Sequence, residues 1–355
     1  MVNFSGAGIF VAYSPVLLSV RIIDSFQAFS GGIIMRLNFD EIKRITVGAV
    51  NIEQREDGIH FFKCTDKQTK AFYAFNDTLG MRSLTTTGIR LDFHTNSGTL
   101  AFRMPTGGVC DLLIDGLFRA QYKAGEGGAI KETVALTDPI GANKDTVRVT
   151  LAFPSHQVGT LDYIELDDGA TVTPHKFDKK ILFMGDSITQ GHKTSCDTRS
   201  FAWLISNHYN ADSVINGIGG AFFHTSIVDK SDFDPEWVFV AYGTNDWGRY
   251  PNDDDMLFQV RGFLDLVKEA YGDKKVFVIS PIWRAKDSGE VMGERFHMRR
   301  RAIEAEAAAR GFIPVDGLKL VPPVAACYSD TYLHPNDLGF SYYYENLRKI
   351  IDASV

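Results

Sequence analysis

The chain has 355 residues, 45% of them hydrophobic, 12% aromatic and 23% charged, which suits large buried cores and excludes a mainly disordered protein. Its length corresponds to about two average domains. A formal charge of −7 and a pI near 5.7 provide no basic field for a polyphosphate, and apart from Arg299, Arg300 and Arg301 the cations are scattered, which argues against a nucleic-acid partner.

The N-terminal stretch MVNFSGAGIFVAYSPVLLSV is apolar, but no Lys or Arg precedes it, Pro15 interrupts it and no small-residue cleavage site follows. It reads as part of the mature protein. No other run approaches the roughly 18 apolar residues of a membrane helix, so a soluble protein is expected. The expected location is cytoplasmic, or secreted if a signal has been removed. Cys64, Cys110, Cys196 and Cys327 lie far apart without CxxC spacing and suggest neither a zinc knuckle nor a redox pair.

From about Pro15 to Thr173 apolar residues recur at every second position, as in Ile89-Arg90-Leu91-Asp92-Phe93 and Thr146 to Leu151. That period places alternate side chains on opposite faces of half-buried strands. Further strands are expected at Ile33 to Asn38, Ile45 to Val50, Ile59 to Lys63, Thr99 to Met104, Phe118 to Tyr122 and Thr160 to Leu166. Clusters of Gly, Asn, Asp and Pro separate them. Many short strands with few helical stretches predict an all-β sandwich, jelly-roll-like, over residues 1–174.

The polar stretch within Asp167 to Lys179 marks the boundary, and residues 175–355 follow a different rhythm. Continuous apolar runs at Ile181 to Met184, Trp237 to Ala241 and Val276 to Ser280 alternate with amphipathic segments at Ser200 to Tyr209, Asp254 to Tyr271, Glu290 to Arg310 and Asn336 to Ile351. Buried strands between helices predict a parallel sheet covered on both faces, an α/β fold.

Four segments of this half carry candidate chemistry. Gly185-Asp186-Ser187-Ile188-Thr189 follows the first buried strand, where open α/β sheets bind ligands, and offers Ser187 as a nucleophile; alone, it could equally be a turn whose serine caps a helix. Asn216-Gly217-Ile218-Gly219-Gly220 lets backbone N–H groups approach a ligand, or serves only as a tight turn. Gly243-Thr244-Asn245-Asp246 supplies an amide donor at the sheet edge, with an Asx turn as the plainer reading. Asp330-Thr331-Tyr332-Leu333-His334-Pro335-Asn336-Asp337 precedes the last helix and offers His334 as a base for a serine proton.

In this order, each at a strand end or helix start, the four segments resemble the SGNH (GDSL-type) hydrolase superfamily over roughly Lys179 to Val355. The resemblance implies a flavodoxin-like three-layer domain in which Ser187 is the nucleophile and His334 the base. It places the oxyanion hole at the Ser187 N–H, at Gly220 with Gly219 as neighbouring candidate, and at Asn245. The family's acid usually stands three residues before the histidine, where this chain has Thr331; Asp330, four before, is favoured here over a dyad oriented by a backbone carbonyl.

The implied activity is a serine esterase working through an acyl-enzyme, without a metal or organic cofactor. A sandwich ahead of such a domain resembles certain carbohydrate esterases, which points to acetyl groups on a carbohydrate or similar small-molecule ester. Trp247, Trp283 and Arg284 are candidate substrate contacts, although core packing or a surface position serves as well for each. A lipase or thioesterase of the same superfamily and a non-catalytic carbohydrate-binding protein remain the alternatives. Nothing in the sequence calls for a membrane partner, and a homo-oligomer is compatible with it.

Overall fold

The computed structural model describes residues 34–105, 107–137, 145–284, 293–330 and 333–355. The readings placed on the N-terminal apolar stretch, on the start of the helix expected from Glu290 and on Thr331 lie outside the described residues.

The chain begins with β1 (Ile34–Arg36), α1 (Phe39–Ile45), β2 (Thr46–Val47), the hairpin β3 (Asn51–Arg55) and β4 (Gly58–Phe62), α2 (Asp66–Phe75) and α3 (Asp77–Ser83). Strands β5 (Arg90–Thr95), β6 (Thr99–Met104), β7 (Val109–Ile114), β8 (Leu117–Lys123), β9 (Ile130–Ala135) and β10 (Val147–Ala152) follow. Then come β11 (Thr160–Leu161), β12 (Tyr163–Asp167) and β13 (Val172–Pro174). They pair antiparallel in the orders β1-β12-β6-β9, β13-β5-β10-β7-β8 with β2 also on β5, and β11-β4-β3. Alternate residues of these strands, among them Leu91, Phe93, Leu100, Phe102, Val149 and Leu151, fill one core.

This half differs from its sequence pattern in two respects. Helices α1, α2 and α3 stand where strands or loops are expected, and Ile45 closes α1 instead of opening a strand. The cause is local: Asn38 with Glu41, and Thr65 with Gln68, form reciprocal capping boxes that satisfy helix N-terminal donors. Strands β3, β7 and β9 fall between the expected ones, and the run Thr160 to Leu166 breaks at Asp162.

The second half supplies β14 (Lys179–Gly185), α4 (Ser187–Gln190), α5 (Phe201–His208), β15 (Ala211–Gly217), β16 (Trp237–Ala241), α6 (Asp246–Arg249) and α7 (Asp253–Tyr271). After them run β17 (Lys275–Ile279), α8 (Glu294–Ala309), β18 (Ile313–Val315) and α9 (Asp337–Asp352). The strands form a parallel sheet in the order β15-β14-β16-β17-β18. Leu182, Met184, Val238, Val240, Val276 and Val278 face α7 and α8, while Ile181, Phe183, Phe239, Phe277 and Ile279 face α5 and α9. That alternation makes three layers, as the continuous apolar runs require. Phe183, Phe239 and Phe277 sit in register on adjacent strands and stack at centroid distances of 5.0 and 4.7 Å. Each is fully buried, a contribution of about 1.5–3 kcal/mol apiece.

The antiparallel half also reaches beneath the parallel sheet. Phe72 of α2 and Leu79 of α3 join the core on the α7 face, and the Gln68 amide donates to the Ile227 carbonyl. Arg90 is fully buried between Asp92 and the Ala211 carbonyl, which accepts its Nη2 at 2.9 Å. The carboxylate at its Nε and the carbonyl at its Nη2 offset part of the cost of holding a guanidinium so far from water. At the other end of the sheet Arg82 of α3 donates to the Gly219 carbonyl just past β15, beside the carboxyl ends of β14 and β16, where the strand order reverses and an open sheet leaves a crevice.

Candidate active site

Strand β14 delivers Gly185, Asp186 and Ser187 to that crevice. Gly185 has to be glycine, because a Cβ there would collide with the Thr189 side chain. Asp186 caps α4 by accepting the Ile188 N–H at 2.9 Å. Burial pushes its carboxyl up to about 7, so it serves here as a cap and not as a ready anion. Ser187 begins the helix with its hydroxyl turned to the crevice.

The loop before α9 brings the imidazole. His334 Nε2 lies 2.9 Å from Ser187 Oγ, and His334 Nδ1 lies 2.7 Å from Asp330 Oδ2. The other Asp330 oxygen accepts the backbone N–H groups of Leu333 and His334 at 2.8 and 2.9 Å. Partial burial opposes ionisation of Asp330, but these N–H groups and the imidazole outweigh it and hold the carboxyl down at about 2. An ionised Asp330 therefore takes the Nδ1 proton, which assigns the tautomer whose bare Nε2 accepts from the serine hydroxyl. Burial draws the His334 pKa below its ordinary 6.5 while Asp330 pushes it back up. Neutral imidazole is thus the prevailing form at pH 7.

Next to this chain of hydrogen bonds stand the donors. Gly219 N–H is committed to Gln190 Oε1 at 2.9 Å. Gly220 adopts a φ of +89°, a left-handed conformation suited to glycine, and among the described residues no protein acceptor takes its N–H. One Asn245 amide hydrogen goes to the Ala221 carbonyl at 2.8 Å, which fixes the side chain and leaves the second hydrogen for a ligand.

Ser187, His334, Gly219, Gly220 and Asn245 line one cavity of about 530 Å³, together with Arg82, His156, Gln190, His192 and Leu333. A second depression of about 400 Å³ shares Arg82, Gly220 and Asn245 with it. Arg82, His156, Gln190 and His192 carry no motif that marks them in the sequence. The one available signal is that Gln190 and His192 follow Ser187 within a single short segment. His192 packs edge-on against the His334 ring at 4.6 Å, and burial together with that neighbour brings its pKa down to about 4. His156 meets His192 at 5.4 Å and is likewise lowered by burial.

The aromatic candidates stand elsewhere. Trp247 lies under the guanidinium groups of Arg295 and Arg299 and against Phe296 of α8. Trp283 packs on Tyr328, and Arg284 donates to the Thr244 carbonyl at 2.8 Å. None of the three lines either depression. Among the described residues no group of three or more His, Cys, Asp or Glu could hold a metal ion, and no helix is long and apolar enough to cross a membrane.

A three-layer sheet with a serine and an imidazole at its strand-order reversal defines an α/β hydrolytic enzyme. Residues 183–341, which contain all four motifs, match the GDSL-like Lipase/Acylhydrolase family. That match indicates an ester-hydrolysing enzyme.

Solved structures share the fold over most of the chain. The salicylyl-acyltransferase SsfX3 from a tetracycline biosynthetic pathway superposes with a TM-score of 0.71 at 17% identity, over 87% of this chain and 94% of its own. A carbohydrate esterase family 2 enzyme with a carbohydrate-binding domain from Corynascus thermopiles gives 0.60 at 18% identity, over 76% and 95%. A family two carbohydrate esterase from Clostridium thermocellum, solved with cellohexaose, gives 0.60 at 13% identity, over 87% and 98%. No curated protein matches the chain.

Proposed function

We propose that this enzyme removes a small acyl group, acetyl foremost, from a polar carbohydrate-like alcohol through a serine acyl-enzyme. The observation that carries the reading is the continuous hydrogen-bonded path from Ser187 Oγ through both nitrogens of His334 to the ionised Asp330.

In the first step the Ser187 oxygen adds to the ester carbonyl while its proton passes to His334 Nε2. Asp330 stabilises the resulting imidazolium through Nδ1. The carbonyl oxygen, now negative, lies among the N–H groups of Ser187 and Gly220 and the Asn245 amide. The C–O bond to the alcohol then breaks as His334 returns the proton to the departing oxygen. Water repeats the sequence on the acyl-serine and releases the acid.

Both the likeness in fold to carbohydrate esterases and the character of the cavity support a small acyl group. Among the described residues Leu333 is the one apolar side chain in the catalytic cavity and Leu79 in its annex, too little to solvate a long acyl chain. A series of nitrophenyl esters from acetate to dodecanoate tests this: a maximum at acetate is expected, and one at long chains rejects the reading in favour of a lipase or thioesterase. Turnover of acetylated sugars by the wild type and its absence in Ser187→Ala test the carbohydrate part.

A further inference from the structure

We infer that the ester substrate carries an anionic group, of the carboxylate class, which the annex beside the oxyanion donors holds between Arg82 and Arg249. This deepens the esterase reading above and rests on it.

The annex continues the catalytic cavity past Gly220 and Asn245, and its far wall includes Asn76, Thr78, Arg82 and Arg249. Among the described residues no carboxylate lines either depression. Arg82 and Arg249 are exposed, and among the described residues neither forms an ion pair. An exposed arginine of no consequence would be free to swing, and these two are held. Arg82 Nη1 donates to the Gly219 carbonyl at 2.7 Å, directly beside the turn that presents Gly220. The Arg249 guanidinium lies over the Phe222 ring at 4.2 Å.

Two fixed guanidinium groups with N–H donors to spare form a fork that suits a planar anion, and Asn76 and Thr78 add neutral hydrogen-bonding groups. The placement is specific to the reacting ester. Any group in the annex is attached to a carbonyl whose oxygen points at Gly220 and Asn245, so the anion would be read in the same complex that undergoes attack. A neutral acetyl ester would leave both cations hydrated and unused.

The test uses matched ester pairs on the intact enzyme. One pair is nitrophenyl hemisuccinate and its methyl ester, with the charge on the acyl side; the other is an O-acetylated glucuronic acid and the same acetylated glucose, with the charge on the alcohol side. The expected result is a kcat/KM ratio of anionic to neutral ester of about 10 or more in at least one pair, and that pair identifies the part bearing the charge. Arg249→Gln and Arg82→Gln should each lower that ratio roughly tenfold, mainly through KM; Arg249→Lys should retain part of it, and added salt should reduce it. A ratio near one in both pairs overturns the inference. So does an equal loss on charged and neutral esters in the Gln variants, which would make the arginines aids to the oxyanion alone. If instead none of the four esters is turned over by the wild type, it is the esterase reading that fails.

Discussion

The cleft has two walls of different origin. One consists of strand ends and helix starts of the parallel sheet, with Ser187 after β14, Gly219 and Gly220 after β15, Asn245 after β16 and His334 before α9. The other comes from the antiparallel half, Arg82 in the last turn of α3 and His156 in the loop after β10. The first wall holds every group that the proposed bond-breaking steps need, on elements anchored in two buried cores. The second lines the cavity and braces the first: Lys63, fully buried, donates to the Arg82 and Thr85 carbonyls, and Gln190 ties Ser155 to Gly219. The division suggests that the parallel sheet determines whether an ester is cleaved, and the antiparallel half determines which one.

Substitutions in the first wall should have the largest effects. Ser187→Ala removes the bond-forming oxygen, and kcat on nitrophenyl acetate should fall by ~10⁴-fold or more with the fold intact by circular dichroism. Residual turnover within tenfold of wild type would place the nucleophile elsewhere.

Asp330→Asn should cost on the order of 10³–10⁴ in kcat, because an amide can donate toward Nδ1 and favour the tautomer with Nε2 protonated. The pH profile adds a second readout. His334 must be neutral to accept the serine proton, so wild-type kcat/KM should rise with pH along an acid limb whose midpoint lies below 6.5, since burial lowers the imidazole pKa. Asp330 raises that pKa, so its neutralisation should move the limb to still lower pH even as the plateau falls. A limb that moves upward would contradict the assigned partnership.

Asn245→Ala should reduce kcat by ~10²–10³ with little change in KM, as expected when a donor acts only on the developing oxyanion. A loss confined to KM would transfer Asn245 from the first wall's chemistry to substrate holding.

The same division governs how much of the molecule can be read from its sequence. A nucleophile at a strand end, a glycine turn, an amide and a histidine before a helix follow from local pattern, because each stands where a buried strand must stop. Asp330 could be named but not placed, since i and i+4 residues in a loop face each other only if the backbone turns; here its own two N–H contacts make that turn. Arg82 and His156 are invisible for the opposite reason. They are single polar residues whose meaning depends on how α3 and the segment after β10 pack beneath another sheet, a long-range contact with no periodicity of its own. Helices α1 and α2 were legible in principle through their capping boxes, but the surrounding alternation masked them. Trp247 illustrates the reverse error, since proximity in sequence to Asn245 does not put its ring in the cavity when α8 offers two guanidinium groups to cover it.

The smallest effect expected belongs to the link between the walls, and it tests the comparison most finely. Gln190 is buried; its Nε2 donates to the Ser155 carbonyl at 2.8 Å and its Oε1 accepts the Gly219 N–H at 2.9 Å. Gln190→Ala leaves the Gly219 N–H buried without its acceptor, a cost of about 1–3 kcal/mol, while the Ser155 carbonyl keeps the Thr87 hydroxyl at 2.7 Å, so the melting temperature should drop measurably. Released from Gln190, the Gly219–Gly220 turn can rotate, and the Gly220 N–H would spend part of its time off the oxyanion position. Activity on nitrophenyl acetate should therefore fall by roughly tenfold, less than for Asn245→Ala, because a loosened donor is still present where a deleted one is not. Gln190→Glu keeps the acceptor for Gly219 but sets a carboxylate against the Ser155 carbonyl, so it should protect the turn better than alanine in kcat while destabilising the fold. If both variants lose as much activity as Asn245→Ala, the walls are not separable and the antiparallel half takes part in the chemistry itself.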